Sequence, residues 1–319
     1  MAERGTKVGL ETAEDHGALP SPDVEAPAAT AATGGAVGQA SLWSDAWLEL
    51  RRNPLFIVAA ILIVAVVLLA IAPQLFTRAS PFDCDIGKNF LRRPNAQHWF
   101  GFDIQGCDYY TRVIYGARNS IAIGLVTVTG SVVIAVIGGT LAGYHGGAID
   151  AVLARLTDIV FAIPPVLGGI VLLNSLPRKG IFEVSLTLIL LGWPVMFRLM
   201  RSAVLSAKET DYVDAARALG ASDLRIIRRH ILPNAIAPVI VYATIYVGIV
   251  ISAEAALTFL GVGLQTPAIS WGLQLSDAQD RLLQAPHLLL FPGLFLSLTI
   301  FSFILMGDAL RDAFDPKLR

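Results

Sequence analysis

Three carboxylates interrupt long apolar runs: Asp158 in "ARLTDIVFA", Glu183 in "GIFEVSLTL" and Glu254 in "ISAEAALTFLG". A charge at bilayer depth costs about 2.5–3.5 kcal/mol on insertion scales, so each carboxylate must face protein or water. Asp158 follows Arg155 by one turn, and a local ion pair accounts for it. Glu183 begins its run and reaches interfacial water. Glu254 lies deeper, and two readings stand side by side: a hydrogen bond between helices, or a place on a translocation path. Trp193 and Arg198, in "LGWPVMFRLM", are further candidates for the path or its gate.

No catalytic constellation accompanies these groups. The sequence contains no G-x-x-x-x-G-K-[ST] phosphate loop, no H-E-x-x-H and no G-x-S-x-G. His16, His98, His145, His230 and His287 are scattered, none four residues from another, and no Cys/His spacing suits zinc. This is the pattern of a chain that is no enzyme, with no metal and no cofactor of its own. Energy for any work it does must come from a gradient or from another subunit. Cys84 and Cys107 share one polar segment; if it is exported they invite a disulfide, with free thiols, or a metal site helped by Asp83, Asp85 and Asp108, as the alternatives.

The elements that must carry these residues are helices in a membrane. The chain has 319 residues, 55% of them hydrophobic and 15% charged, far more apolar surface than one soluble core requires. A hydrocarbon core of roughly 30 Å needs about 20 apolar helical residues. "LFIVAAILIVAVVLLAIAPQL" (55–75) meets that test, and five further spans are expected at 117–143, 153–176, 181–205, 236–262 and 288–307. The first run is too long for a signal segment and reads as a retained anchor. The fold class is therefore an all-α integral membrane protein with six transmembrane helices. Pro164, Pro165 and Pro194 interrupt the helical ladder and should kink it. Gly139, Gly143 and Gly147 recur every four residues, doubled by Gly138 and Gly146, a spacing that lets helices approach closely.

The flanks divide the rest. Residues 1–40 lack any apolar period and are expected to be a disordered cytoplasmic tail, dispensable for whatever the helical core does. In 41–54, Trp43, Ala46, Trp47 and Leu50 repeat at helical spacing before Arg51 and Arg52, the pattern of an amphipathic interfacial helix. Residues 76–116 form a polar loop, 117–310 the core of five spans, and 311–319 a short C-terminus. Under six spans, Arg51 and Arg52, then Lys208, Arg217, Arg225, Arg228 and Arg229, then Arg311, Lys317 and Arg319 share one side. The positive-inside rule makes that side cytoplasmic, with both termini in, although the loop opposite also holds Lys88, Arg92, Arg93, Arg112 and Arg118.

One stretch in the loop 206–235 is polar and helical: "VDAARALGASDLRIIRRHILPN" (213–234). Thr210 can cap a short helix in which Tyr212, Ala215, Ala216 and Leu219 make an apolar face, and Gly220 supplies a left-handed residue that ends it. Ser222 or Asp223 caps a second helix with Leu224, Ile227 and Ile231 on one face and Arg225, Arg228 and Arg229 beside it, before Pro233 closes the element. The arginines help to fix topology. They leave unexplained the Ala-Ala pair, which placed at the apex of an elbow would enter a partner's groove.

These residues resemble the EAA loop of ABC importer permeases: Glu-Ala-Ala, three residues, Gly, nine residues, Ile-x-Leu-Pro. Asp214 stands in the Glu position and His230 in that of the Ile, while the spacing from Ala215 and Ala216 through Gly220 to Leu232 and Pro233 is kept. The resemblance covers about 41–319 and is to the dipeptide, oligopeptide and nickel branch, in its C-type (DppC/OppC-like) subunit. "RRNP", "HWFGFDIQGCDYYTRVIYGARNSI", "AGYHGGAID", "DYVDAARALGAS", "RHILPN", "TFLGVGLQTPAISWG" and "GDALRDAFDPKLR" carry it. Phe102 and Cys107 depart from the family's Gly-Thr-Asp, two residues, Gly-Arg-Asp, which makes a subgroup-specific disulfide with Cys84 more plausible.

The resemblance implies a type I importer architecture, N-in and C-in, in the bacterial plasma membrane. It implies a second permease (DppB/OppB-like), ATP-binding subunits (DppD/DppF-like, or one fused ATPase) that hold ATP and Mg, an extracytoplasmic substrate-binding protein and a peptide substrate, with no nucleic acid. Contact with the ATPase would fall to Asp211, Tyr212, Asp214, Ala215, Ala216, Gly220, Ala221, Asp223, Arg228, Leu232 and Pro233. The same branch handles nickel, glutathione and haem. A proton-coupled secondary transporter, with Glu254 and Asp158 as relay, is the rival of a different class, and a non-transporting scaffold the other; the six spans contain no evident inverted repeat.

Overall fold

The computed structural model describes residues 42–314. The tail expected over 1–40 and the end of the C-terminus, 315–319, lie outside the described residues.

The described chain is helical: α1 (Leu42–Leu50), α2 (Pro54–Ile71), α3 (Ile86–Asn89), α4 (Tyr109–His145), α5 (Gly147–Phe161), α6 (Pro165–Ser175), α7 (Ile181–Lys208), α8 (Asp211–Ala218), α9 (Asp223–Ile226), α10 (Leu232–Ala235), α11 (Ala237–Phe259), α12 (Trp271–Ala278) and α13 (His287–Phe314). α2, α4, α7, α11 and α13 are each long and apolar enough to cross a membrane; α5 and α6 make a sixth span if counted together. That pair is no mere kink. The two helices meet at 90°, because Pro165 lacks the N–H that a continuous helix would use there and the residue before a proline avoids the helical region.

Local chemistry sets the helix starts. Asn53 precedes Pro54, and its side chain accepts from the N–H groups of Leu55 (2.9 Å) and Phe56 (3.4 Å), so the Asn cap and the Pro at the first turn act together. Asp108 likewise accepts from Thr111 N–H at 2.9 Å and begins α4 eight residues before the span expected at 117. The polar loop is shorter than 76–116 for that reason. With 37 residues, α4 is about 55 Å long at 1.5 Å per residue, well beyond the roughly 30 Å of a hydrocarbon core. Glu183 does not merely meet interfacial water: it accepts from Gly180 N–H at 3.0 Å and closes the start of α7.

α4 lies along α7, while α11 packs on α13 and α4, and α2 packs on α13 and α4. Glycine governs the first contact. A Cβ at Gly139 would come within 3.0 Å of Arg201 N, and one at Gly143 within 2.9 Å of Arg201 O, so backbone faces backbone. Gly146 and Gly147, read with them as one packing stripe, do something else. Their φ values of +66° and +57° make the turn from α4 into α5, and nothing stands within 4 Å of either. Replacing Gly143 with Val should therefore cost roughly 1–3 kcal/mol by overpacking, visible as a lower thermal midpoint of the solubilised protein. Gly146→Asn meets no neighbour, but φ +66° with ψ −151° is a backbone region nearly confined to glycine, so it should lower the midpoint too, through about 1–3 kcal/mol of backbone strain and not through packing.

The bundle has two distinct ends. At one, residues 72–108 and α12 cover the starts of α4 and α13: Tyr109 O–H donates to Leu288 O at 2.6 Å, Gln274 Nε2 to Arg112 O at 2.7 Å and Trp271 Nε1 to Val113 O at 3.0 Å. At the other, α1 buries Ala46 and Leu50 against Ala309 and Ala313 of α13. Trp47, read from the sequence as part of α1's apolar stripe, instead stands 57% exposed on the far side.

Candidate coupling elbow and translocation path

The polar stretch after α7 is an elbow. α8 ends in the paired bonds of a glycine-terminated helix, with Gly220 N–H donating to Arg217 O (3.0 Å) and Ala221 N–H to Ala216 O (3.1 Å). Gly220 has φ +77°, with open space where a side chain would be. Backbone conformation, not crowding, calls for glycine. The caps differ from expectation. Thr210 occupies the cap position, but its hydroxyl donates back to Ala207 O at 2.7 Å, and Ser222 precedes α9 without a side-chain bond. Asp223 is engaged elsewhere, accepting from Tyr144 O–H at 2.6 Å and so tying the elbow to the end of α4.

The faces differ as well. Val213 and Ala216 point inward, packed with Met200, Val204, Ile226 and Ile231. Tyr212, Ala215 and Leu219 point outward, Leu219 being 88% exposed. The stripe read from the sequence thus splits: Ala216 belongs to the protein's own core, not to an apex. On a helix of two turns, two apolar stripes about 100° apart compete, and packing against α7 selects the one containing Val213. In the second arm Ile226 is buried, while Leu224 is 63% exposed. The cause is a π turn at Ile227–Ile231, where Leu232 N–H donates five residues back to Ile227 O. Pro233 has no N–H to offer; the wider turn carries the chain past it into α10 and α11 rather than ending the element.

Polar bonds hold the elbow. Asn234 Nδ2 donates to His230 O (2.8 Å) and Tyr212 Oη (3.4 Å), Arg217 pairs with Asp214 at 2.8 Å, and Lys208 Nζ donates to Gly143 O at 3.0 Å. Arg201 of α7 donates from Nε and Nη2, one edge of its guanidinium, to the two carboxylate oxygens of Asp150 of α5. Sequence alone gave no hint of the Arg201–Asp150 or Tyr144–Asp223 pairs, since 51 and 79 residues separate the partners. Asp211, Asp214, Arg225, Arg228, Arg229 and Pro233 are exposed, and Ala221 and Leu232 partly so.

Of the path candidates, Glu254 is wholly buried. It accepts from Thr258 at 2.9 Å, Ser270 at 3.3 Å and Ser120 at 3.4 Å, while Trp271 N–H donates to Ser120 Oγ at 3.4 Å. One carboxylate thus joins α11, α4 and the segment entering α12. Gln keeps these bonds once the Ser120 hydroxyl reverses, whereas Ala strands three hydroxyls at about 1–3 kcal/mol for each left unpaired. Glu254→Gln should assemble and transport nearly normally, and Glu254→Ala should lose folded yield. Normal assembly of Glu254→Gln without uptake would instead give the charge a role in transport. Trp193 packs edge-on against Phe197 at 5.5 Å. Arg198 pairs with Asp158 at 2.8 Å, so Asp158 has two partners, Arg155 being the weaker at 3.6 Å.

At the opposite end Cys84 and Cys107 form a disulfide. Cys107 is buried, and Arg112 Nη1 donates to its Sγ (3.2 Å), to Asp103 Oδ2 (2.9 Å) and to Gln105 Oε1 (2.7 Å). Asp108 accepts from His98 at 2.8 Å. Among the described residues no group of three or more His, Cys, Asp or Glu side chains is placed to hold a metal ion.

Comparison with known proteins fits this arrangement to a family. The profile described as "Binding-protein-dependent transport system inner membrane component" matches residues 135–319, and that described as "N-terminal TM domain of oligopeptide transport permease C" matches 41–94. The chain is 40% identical over 279 residues to the dipeptide transport system permease protein DppC of Alkalihalophilus pseudofirmus, covering 88% of this chain and 91% of that one. It is equally similar, over the same shares, to the oligopeptide transport system permease protein OppC of Bacillus subtilis. The glutathione transport system permease protein GsiD of Escherichia coli O157:H7 is 36% identical over 87% of this chain and 91% of its own. Among solved structures, the inward-facing MetNI methionine ABC transporter superposes with a TM-score of 0.53 over 64% of this chain and 97% of that one; at 19% identity it speaks for the fold alone. A bundle of five or six apolar helical spans, an elbow beside it and these matches place the protein in the bacterial plasma membrane as a multi-pass chain. It belongs to the binding-protein-dependent inner membrane components, the permeases of ABC importers, in their DppC/OppC-like branch.

Proposed function

We propose that this chain is one of two permease subunits of an ATP-driven importer for short peptides, and that its elbow is the mechanical contact with the ATPase. The outward stripe of Tyr212, Ala215 and Leu219 carries this reading: a two-turn helix pinned by Val213 and Ala216 leaves a large apolar side chain in full solvent. Such an exposed anchor on a rigid mount is what an interface requires. The elbow end is cytoplasmic and the disulfide end external, in keeping with the arginines of the elbow and with an oxidising exterior. α1 packs on the last turns of α13, and this reading puts both on the cytoplasmic side with the elbow. ATP and Mg are held by the partner; this chain forms and breaks no bonds. ATP binding draws the ATPases together, the elbows move with them, and the path between the two permeases alternates its opening. A substrate-binding protein delivers peptide at the disulfide end.

The test is reconstitution of the full complex in proteoliposomes. Uptake of a labelled dipeptide should require ATP and the binding protein and should survive a proton uncoupler. Uptake that follows the proton gradient and ignores ATP would overturn the reading. A complex that carries nickel, glutathione or haem and no dipeptide would keep the mechanism and change the cargo.

A further inference from the structure

The 90° break between α5 and α6 leaves a gap that the apolar side chains around it do not fill. A cavity of about 220 Å³ lies there, between Phe161 and Val166 on the broken pair, Leu191 and Val195 on α7, and Tyr246 and Ala253 on α11. Tyr246 is the one lining side chain with a polar atom, and Gly192 makes room for it, since any side chain at 192 would overlap the Tyr246 hydroxyl. The space is smaller than the roughly 300–1,000 Å³ of a pocket for a whole small ligand. It suits a single side chain.

A charged pair lies next to one of its walls. Phe161, which lines the cavity, also carries the Arg198 guanidinium 4.1 Å above its ring, and Arg198 pairs with Asp158 at 2.8 Å with both side chains about half exposed (52% and 51%). A half-exposed pair at this depth belongs beside water or a polar ligand and not against lipid tails. Such pairs hold each other weakly, so each member readily changes partner. An apolar pocket with a cation stacked on one of its lining rings, and an anion paired to that cation, complements a zwitterion bearing an apolar side chain.

We propose that this cavity is a subsite on the translocation path for one apolar side chain of the transported peptide. Asp158 takes the ammonium end and Arg198 the carboxylate end. The proposal rests on the peptide-import reading above and adds a preference the permease itself exerts, apart from any imposed by the binding protein.

Both cysteines of the chain are in the disulfide, so Val195→Cys introduces a single free thiol in the cavity wall. The full complex carrying this substitution, in proteoliposomes, is treated with a maleimide in the presence of Ala-Phe or Gly-Gly. Ala-Phe should slow labelling roughly tenfold, about 1.4 kcal/mol, the low end for burying an aromatic side chain, and Gly-Gly should barely affect it. In a second measurement, Arg198→Gln should raise KM for Ala-Phe and not for its C-terminal amide. If both peptides are imported yet neither changes the labelling rate, the subsite is wrong. If the thiol resists labelling with and without peptide, lipid or the second permease fills the cavity, which also overturns it. If the unmodified complex imports neither peptide, the import reading falls and takes the subsite with it.

Discussion

Replacing Leu219 with Asp is expected to cut uptake by the assembled transporter roughly 30-fold, the effect of losing an interface anchor worth about 2 kcal/mol. The protein itself should fold normally, because Leu219 is 88% exposed and belongs to none of the buried clusters among the described residues. Substrate-stimulated ATP hydrolysis should fall together with uptake, as contact with the ATPase is lost. Ala216→Trp provides the contrast. Ala216 is buried with Val213 and Ile226, so a large side chain there should unseat the elbow and lower the yield of folded protein, an effect on structure before coupling. Gly220→Val sits between them: at φ +77° it costs about 1–2 kcal/mol in left-handed backbone and tilts one arm against the other.

The second large effect is expected at the opposite end. Arg112→Ala should destabilise the protein by about 3–5 kcal/mol, since it leaves Asp103 as a buried carboxylate without its partner. The ion pair has side chains only 10% and 9% exposed, and the same guanidinium reaches Gln105 and Cys107. Loss of the disulfide through Cys84→Ser should cost about 3 kcal/mol in the chain-entropy model for a closed loop of this size. Thermal unfolding of the solubilised protein should therefore rank Arg112→Ala at or beyond Cys84→Ser. A midpoint for Arg112→Ala within a degree of the unsubstituted protein would show the pair to be solvated.

What the sequence made legible follows from which forces are local. The long spans of α2, α4, α7, α11 and α13 could be read because twenty apolar residues in a row have few other uses. Gly220 could be read because a glycine after two short helical turns has a backbone reason to be there. Faces were harder. Tyr212 and Leu219 satisfied the helical period, yet they point away from the core, because a two-turn helix offers two stripes and a distant element, α7, decides between them. Periodicity groups Leu224 with Ile227 and Ile231, yet Ile226 is the buried residue, since the π turn has no periodic signature. Pro233 reads as a stop for the same reason, although the chain continues through it. The break at Pro164 and Pro165 was visible, its 90° angle and the cavity beside it were not, because these depend on α7 and α11. For Cys84 and Cys107 shared location offers a disulfide beside free thiols or a metal site, and folding settles the pair; Arg112 lies against Cys107 through folding of the loop onto α4.

The account rests most heavily on the elbow's outward face meeting the ATPase, and one measurement addresses it directly. A cysteine is placed at Leu219, another at Val213 as an inward control, and each is paired with single cysteines along the groove of the ATPase subunit in the reconstituted complex. Cross-linking yield is then compared in nucleotide-free, ATP-bound and ADP-bound states. The account predicts strong cross-linking from position 219, differing between nucleotide states, and none from position 213. Absence of a cross-link from 219 in every state, or equal yields from 213, would contradict it.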